Sequence, residues 1–119
     1  MNNPTTETSA SEQQSQVVEM RQLVDLPVAR VKRIMKSDAD VRIISQEAVV
    51  LVSKAAEKLI EHLARESLKY SEKDNRKVLQ YSDLSDAVKN CEVFDFLEDI
   101  IPERKSFDSV LELVKKQQQ

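Results

Sequence analysis

Residues 26–36 sort into two faces when wound at 100° per residue. Pro27, Val28, Val31, Ile34 and Met35 fall on one side, and Arg30, Lys32, Arg33 and Lys36 on the other. The pattern predicts a short helix from Pro27, a residue suited to a first turn, to Lys36. One face would be seated and the other offered to something anionic. Ser37-Asp-Ala-Asp40 breaks the helix, and Val41-Arg-Ile-Ile44 reads as an extended crossing. Ser45 is a good N-cap, and Glu47 in the first turn is favoured by the helix dipole. From there to Tyr70 no Pro or Gly interrupts, which predicts about 25 helical residues spanning roughly 37 Å. The apolar positions of that stretch (Ala48, Val49, Leu51, Val52, Ala55, Ala56, Leu59, Ile60, Leu63) make a stripe too wide for a simple surface helix. Two short flanking helices cannot cover it all, so the surplus implies a partner chain.

Residues 71–77 read as a polar loop, followed by a very short extended segment at Val78-Leu-Gln80. A third helix is expected from position 81 or 82 to 90, burying Leu84, Ala87 and Val88. A fourth is expected over 92–101, with Phe94, Leu97, Ile100 and Ile101 apolar, ended by Pro102. Over 106–116, Phe107, Val110, Leu111 and Val114 at i, i+3, i+4 and i+7 predict a last amphipathic helix. Residues 1–22 are rich in Asn, Thr, Ser, Gln and Glu and read as a disordered tail. The expected organisation is therefore an all-α domain over 26–102 with a tail before it and a helix after it.

Composition narrows the function. The 119 residues contain no glycine and only 4% aromatics, so the core is aliphatic. P-loops, Rossmann turns and strained nucleophile elbows need residues that tolerate positive φ, and enzymes built on them are excluded. Cys91 is the only cysteine, so no intramolecular disulfide is possible. No signal-peptide pattern and no 18-residue apolar run occur, which predicts a soluble intracellular protein. The net charge of −3 is unevenly laid out: residues 26–80 carry twelve basic and eight acidic groups, between two acidic ends. A positive middle calls for an anionic partner.

Candidates for chemistry are few. His62 has no second His or Cys at metal spacing, and Cys91 has neither zinc-like spacing nor a nucleophile's setting. Asp38-x-Asp40 opens like a calcium loop, but positions 6 and 12 counted from Asp38 are Ile43 and Val49. No carboxylate pair stands out as an acid–base dyad. The expectation is a protein with no catalytic residues, no metal and no cofactor.

Short helix, loop, long helix, loop, short helix is the order of a histone fold, and the residues themselves are familiar. Leu26-Pro-Val-Ala-Arg-Val-Lys-Arg-Ile-Met-Lys36 and Asp40-Val-Arg-Ile-Ile-Ser-Gln-Glu-Ala48 resemble the NF-YC-like branch of histone-fold proteins. Asp74-Asn-Arg-Lys-Val-Leu-Gln80 and Phe94-Asp-Phe-Leu-Glu-Asp-Ile-Ile-Pro102 match the same branch. Lys77-Val-Leu-Gln-Tyr-Ser-Asp-Leu84 and the helix after Pro102 look like its chromatin accessibility complex member, which favours that member and its DNA polymerase epsilon relative over the CCAAT-box factors. Leu68 stands where CCAAT-box factors of this branch have a tryptophan, and their glutamine-rich activation region has no counterpart, which argues against CCAAT recognition.

The resemblance implies an obligate handshake heterodimer with an NF-YB-type histone-fold partner, paired through Val49, Val52, Ala56, Leu59, Ile60 and Leu63 of the long helix. It implies that Arg30, Arg33 and Lys36, Arg42 in the first loop and Lys77 in the second face double-stranded DNA. Arg76 and Asp83 would form a structural clamp between the second loop and the third helix, which takes Arg76 out of the DNA set. The implied protein is a non-enzymatic nuclear subunit that binds DNA without sequence preference. Its host would be a chromatin-remodelling complex or DNA polymerase epsilon, with larger subunits docking on it, a region around Asp95, Glu98 and Asp99 included. The alternatives are an NF-YC-type member of a CCAAT-binding transcription factor and a helical adaptor that binds only protein.

Overall fold

In the computed structural model, residues 5–105 and 107–118 are described. Residues 1–4 of the expected tail and Ser106 at the start of the expected last helix lie outside them. The elements are all helical: α1 (Thr5–Gln22), α2 (Val28–Met35), α3 (Gln46–Lys73), α4 (Tyr81–Asn90), a 3-10 helix (Glu92–Leu97) and α5 (Phe107–Gln117). No strand occurs among the described residues, and Val78-Leu-Gln80 is irregular. The chain divides into two compact units, Met1–Ile60 and Glu61–Gln119.

In the first unit, α2 begins one residue later than expected. Pro27 takes the N-cap position with extended backbone, and its carbonyl accepts the Arg30 and Val31 amides. Val31 is buried, and Val28, Ala29 and Lys32 share a recess with Gln46 and Val49 at the start of α3. Ile34, expected on the seated face, is 71% exposed, whereas Met35 beside it is half-buried. After the break, Asp38 Oδ1 accepts the Asp40 amide at 2.9 Å, an Asx turn. Ser45 Oγ then accepts the Ala48 amide at 3.1 Å and caps α3. Two side chains one turn apart on α3 hold the segment before α2. Lys54 Nζ donates to the Leu23 carbonyl at 3.1 Å, and Glu57 Oε1 accepts the Asp25 amide at 2.7 Å. Val49, Val50 and Ser53 are buried beneath, Ser53 donating to the Val49 carbonyl.

The segment expected to lack order differs: Thr5–Gln22 is helical. Its Glu, Gln, Ala and Met content and freedom from Gly and Pro favour helix locally. It has no apolar face, and its described side chains from Ala10 onward are exposed.

In the second unit, α3 runs on to Lys73, three residues past the expected end. It stops on a Schellman motif. Asn75 takes φ 55°, its amide bonds the Glu72 carbonyl, and the Arg76 amide bonds the Ser71 carbonyl. In a chain without glycine, asparagine is the residue that tolerates this conformation best. Phe94, Ala87, Val88, Ser67 and Ser71 form the buried centre. The His62 ring lies 5.0 Å from Phe94, and Asn90 Nδ2 donates to the Tyr70 hydroxyl at 3.0 Å. The expected fourth helix is a shorter 3-10 helix followed by turns, which points Phe94 inward and leaves Val93 and Phe96 outside. Beyond it, the Tyr81 hydroxyl donates to the Pro102 carbonyl at 2.6 Å, Arg104 sits 4.1 Å over the Tyr81 ring, and Lys89 pairs with Glu103 at 3.3 Å. The described side chains of α5 are exposed.

Candidate nucleic-acid interface

The cations singled out from the sequence are placed by the starts and ends of helices. Arg30, Arg33 and Lys36 lie on the side of α2 away from Val31, at i, i+3 and i+6, and all three are exposed. Lys32, on the same charged face in sequence, is half-buried at the recess beside Gln46 and Val49, which Arg21 also lines. Arg42 is exposed in the crossing between α2 and α3, next to Ile43, itself 93% exposed. In the second unit, Lys77 is exposed in the loop between α3 and α4. None of these five cations forms an ion pair among the described residues. Unpaired cations on loops and one helix face can neutralise phosphates and release counterions without reading base edges.

Arg76 stands one residue from Lys77 and is fully engaged. Its two terminal nitrogens donate to Asp83 at 2.9 and 2.7 Å, and it also bonds Asp74 and the Val78 carbonyl. Asp83 is buried and accepts the Gln80 amide at 2.8 Å in a capping box at the start of α4. The Arg76 guanidinium, helped by that amide, holds the Asp83 carboxyl below the ordinary carboxylate range. Asp83 first and Asp74 second push Arg76 further toward its protonated form. The structure thus brings together the two residues that the family resemblance paired as a clamp. It also shows what spacing did not: Asp83 is the buried partner.

The six positions named on α3 fall within roughly 100° around the helix. Val52 and Ile60 are 41% and 56% exposed, while Ala56, Leu59 and Leu63 are half-buried. Val49 departs from the expectation: it is buried in its own unit, because the first turn of α3 shares a recess with Val28 and Ala29 of α2. Ile60 lies at nearly the same angle as the buried Val49, Ser53, Ser67 and Ser71, yet it is uncovered. Sequence reasoning overlooked Glu57, whose second oxygen Oε2 is buried without a hydrogen-bond partner among the described residues. It overlooked the ring contact of His62 as well. Neither carries a local sequence signal.

No group of three or more His, Cys, Asp or Glu residues that could hold a metal ion occurs among the described residues. Among them, too, no helix is long and apolar enough to cross a membrane.

The amino-acid sequence matches a known family and known proteins. A family described as histone-like transcription factor (CBF/NF-Y) and archaeal histone matches residues 24–88, from just before α2 to near the end of α4. The C-3 subunit of nuclear transcription factor Y from Arabidopsis thaliana is 45% identical over 86 residues, 72% of this chain and 40% of that protein. The C-2 subunit of the same factor from Oryza sativa subsp. japonica is 47% identical over 81 residues, 68% of this chain and 33% of that protein. Chromatin accessibility complex protein 1 of Homo sapiens is 38% identical over 97 residues, 82% of this chain and 74% of that protein. The chain therefore spans well under half the length of these plant relatives and about three quarters of the human one. With more than half of its residues matched and its helices in this order, the chain belongs to the histone-fold family of CBF/NF-Y-type transcription factors and archaeal histones, in the NF-YC-like branch.

Proposed function

We propose that this chain is a non-enzymatic nuclear subunit that pairs with an NF-YB-type histone-fold partner and lends sequence-independent affinity for double-stranded DNA to a larger assembly. The uncovered middle of α3 carries the reading. Val52 and Ile60 lie open, and Ile60 does so at nearly the angle at which Val49, Ser53, Ser67 and Ser71 are buried. A monomer gains nothing by exposing that stripe, whereas a crossing helix from a partner would cover it. Obligate interfaces of this kind bury roughly 2,000 Å² or more. The five unpaired cations supply the DNA contact, in the first unit through Arg30, Arg33, Lys36 and Arg42 and in the second through Lys77.

The host assembly is a nucleosome remodeller or DNA polymerase epsilon, where larger subunits dock on the acidic stretch of Asp95, Glu98 and Asp99. Similarity across most of the length of a chromatin accessibility protein supports the remodeller. The second reading, membership of a CCAAT-binding factor, draws on the higher identity to the plant nuclear transcription factor Y proteins. Leu68, where CCAAT-box factors of this branch have tryptophan, counts against it.

The test is titration of the purified heterodimer with random and CCAAT-bearing duplexes at several salt concentrations. Neutralising about 3–5 phosphates through this subunit contributes roughly −3 to −4.5 to the slope of log K against log salt. Arg42→Glu with Lys77→Glu weakens binding on every sequence and flattens that slope. An unchanged isotherm would sink the assignment, and selective loss on CCAAT duplexes would move it to the second reading.

A further inference from the structure

The acidic pair Asp38 and Asp40, which fails as a calcium loop, lies just beyond the basic face of α2. Ser37 stands between the two. We propose that Ser37 is the phosphate acceptor for an acidophilic serine/threonine kinase, and that its phosphate draws Arg33 and Lys36 off DNA. The effect on DNA rests on the function proposed above.

Three observations point to Ser37. Among the serines and threonines of the chain, only Ser37 and Ser71 have acidic residues at both +1 and +3, the pattern that suits a kinase cleft lined by cations. Ser71 is fully buried in α3, so the fold leaves Ser37 alone within reach. Every residue from Lys36 to Ile43 is exposed and positions 36–45 belong to no helix, so this segment enters a cleft without opening a core. The Ser37 hydroxyl is held only by an exposed bond to the Ile34 carbonyl at 2.6 Å, which water replaces when the side chain turns outward. The kinase transfers the γ-phosphoryl group of ATP to Ser37 Oγ. A new O–P bond replaces the bond to the departing ADP, and the hydroxyl proton passes to the kinase's base. The phosphate then stands next to Lys36 and four residues after Arg33, the spacing of neighbours on a helix face. Arg33 is exposed and without an ion pair among the described residues, and a guanidinium binds phosphate bidentately. Residues 30–42 carry five cations and two carboxylates, a surplus of three positive charges. A phosphate of about two negative charges leaves about one.

The test treats the chain, purified with its histone-fold partner, with a kinase of the casein-kinase-2 type, magnesium and ATP, and locates phosphate by mass spectrometry. Ser37 is expected to be modified about tenfold faster than any serine with an acid at +3 alone. Asp40→Asn keeps the Asx turn, which uses the Asp40 amide, and slows the reaction about tenfold. On random duplex DNA the modified heterodimer binds roughly 10–100-fold more weakly at 0.1 M salt, with a salt slope shallower by about 1–2. Ser37→Ala binds as the unmodified protein does and ignores the kinase. No phosphate on Ser37, or a rate indifferent to Asp40→Asn, would overturn the acceptor. Equal binding before and after treatment would overturn its effect on DNA alone. No DNA binding before treatment would instead sink the function proposed above, and the effect on DNA with it.

Discussion

Asp83 is buried while the side chain of its partner Arg76 stays 26% open to solvent, so the pair is held by geometry rather than by seclusion. Arg76→Gln is expected to destabilise the domain more than Arg76→Gln with Asp83→Asn, because the single change leaves a buried carboxylate without its cation. A double-mutant cycle by chemical denaturation measures that coupling. The carboxyl is depressed in the folded state, so its stabilisation is complete above the unfolded value and is lost as pH falls through the folded one. Denaturation midpoints should therefore fall below about pH 4, and Arg76→Gln should flatten that fall. At Asn75 the left-handed conformation predicts that Asn75→Ala costs about 1 kcal/mol and Asn75→Gly far less. Phe94→Ala is expected to cost about 3–5 kcal/mol and Phe96→Ala within about 0.5 kcal/mol, both by denaturant titration. The resemblance to histone-fold proteins made the clamp legible in the sequence, and the helical pattern already set Phe94, not Phe96, on the apolar side. The pattern failed at Ile100 instead, which it set beside Phe94 and which is 70% exposed beyond the end of the 3-10 helix at Leu97.

The long helix α3 was the easiest element to read, because its length and its unbroken apolar pattern leave no other solution. Its buried serines were not readable. Ser53, Ser67 and Ser71 look polar in a pattern, yet each hydroxyl donates to a carbonyl of its own helix and can be buried at little cost. Small side chains there let neighbouring elements approach closely. Replacing Ile60 by Asp tests the uncovered stretch: co-purification with the histone-fold partner is expected to be lost, while Arg30→Glu leaves pairing intact. The boundaries of the 3-10 helix and of α1 escaped prediction for opposite reasons. In the first, a good helical pattern is shortened by packing. In the second, a helix forms from propensity with no apolar face to announce it.

Across the whole molecule, the alternation of charge was legible from counting, and the exposed cations of α2 and the two loops account for the basic middle. What counting could not supply was which cations of the middle are already engaged, among them Arg76 by its two carboxylates, Lys54 by the Leu23 carbonyl, Arg65 by Glu61 and Lys69 by Glu66. Aromatic rings are distributed unevenly as well. Both tyrosines and all three phenylalanines fall after residue 60, with the Tyr70 hydroxyl accepting from Asn90 and the Tyr81 hydroxyl donating to Pro102. Without tryptophan, intrinsic fluorescence and near-ultraviolet dichroism therefore watch the second unit alone. The first unit, which carries four of the five candidate DNA cations, is optically silent. A melting curve followed by tyrosine emission would thus report the loosening of Tyr81 from Pro102, and could pass through its midpoint while α2 is still seated.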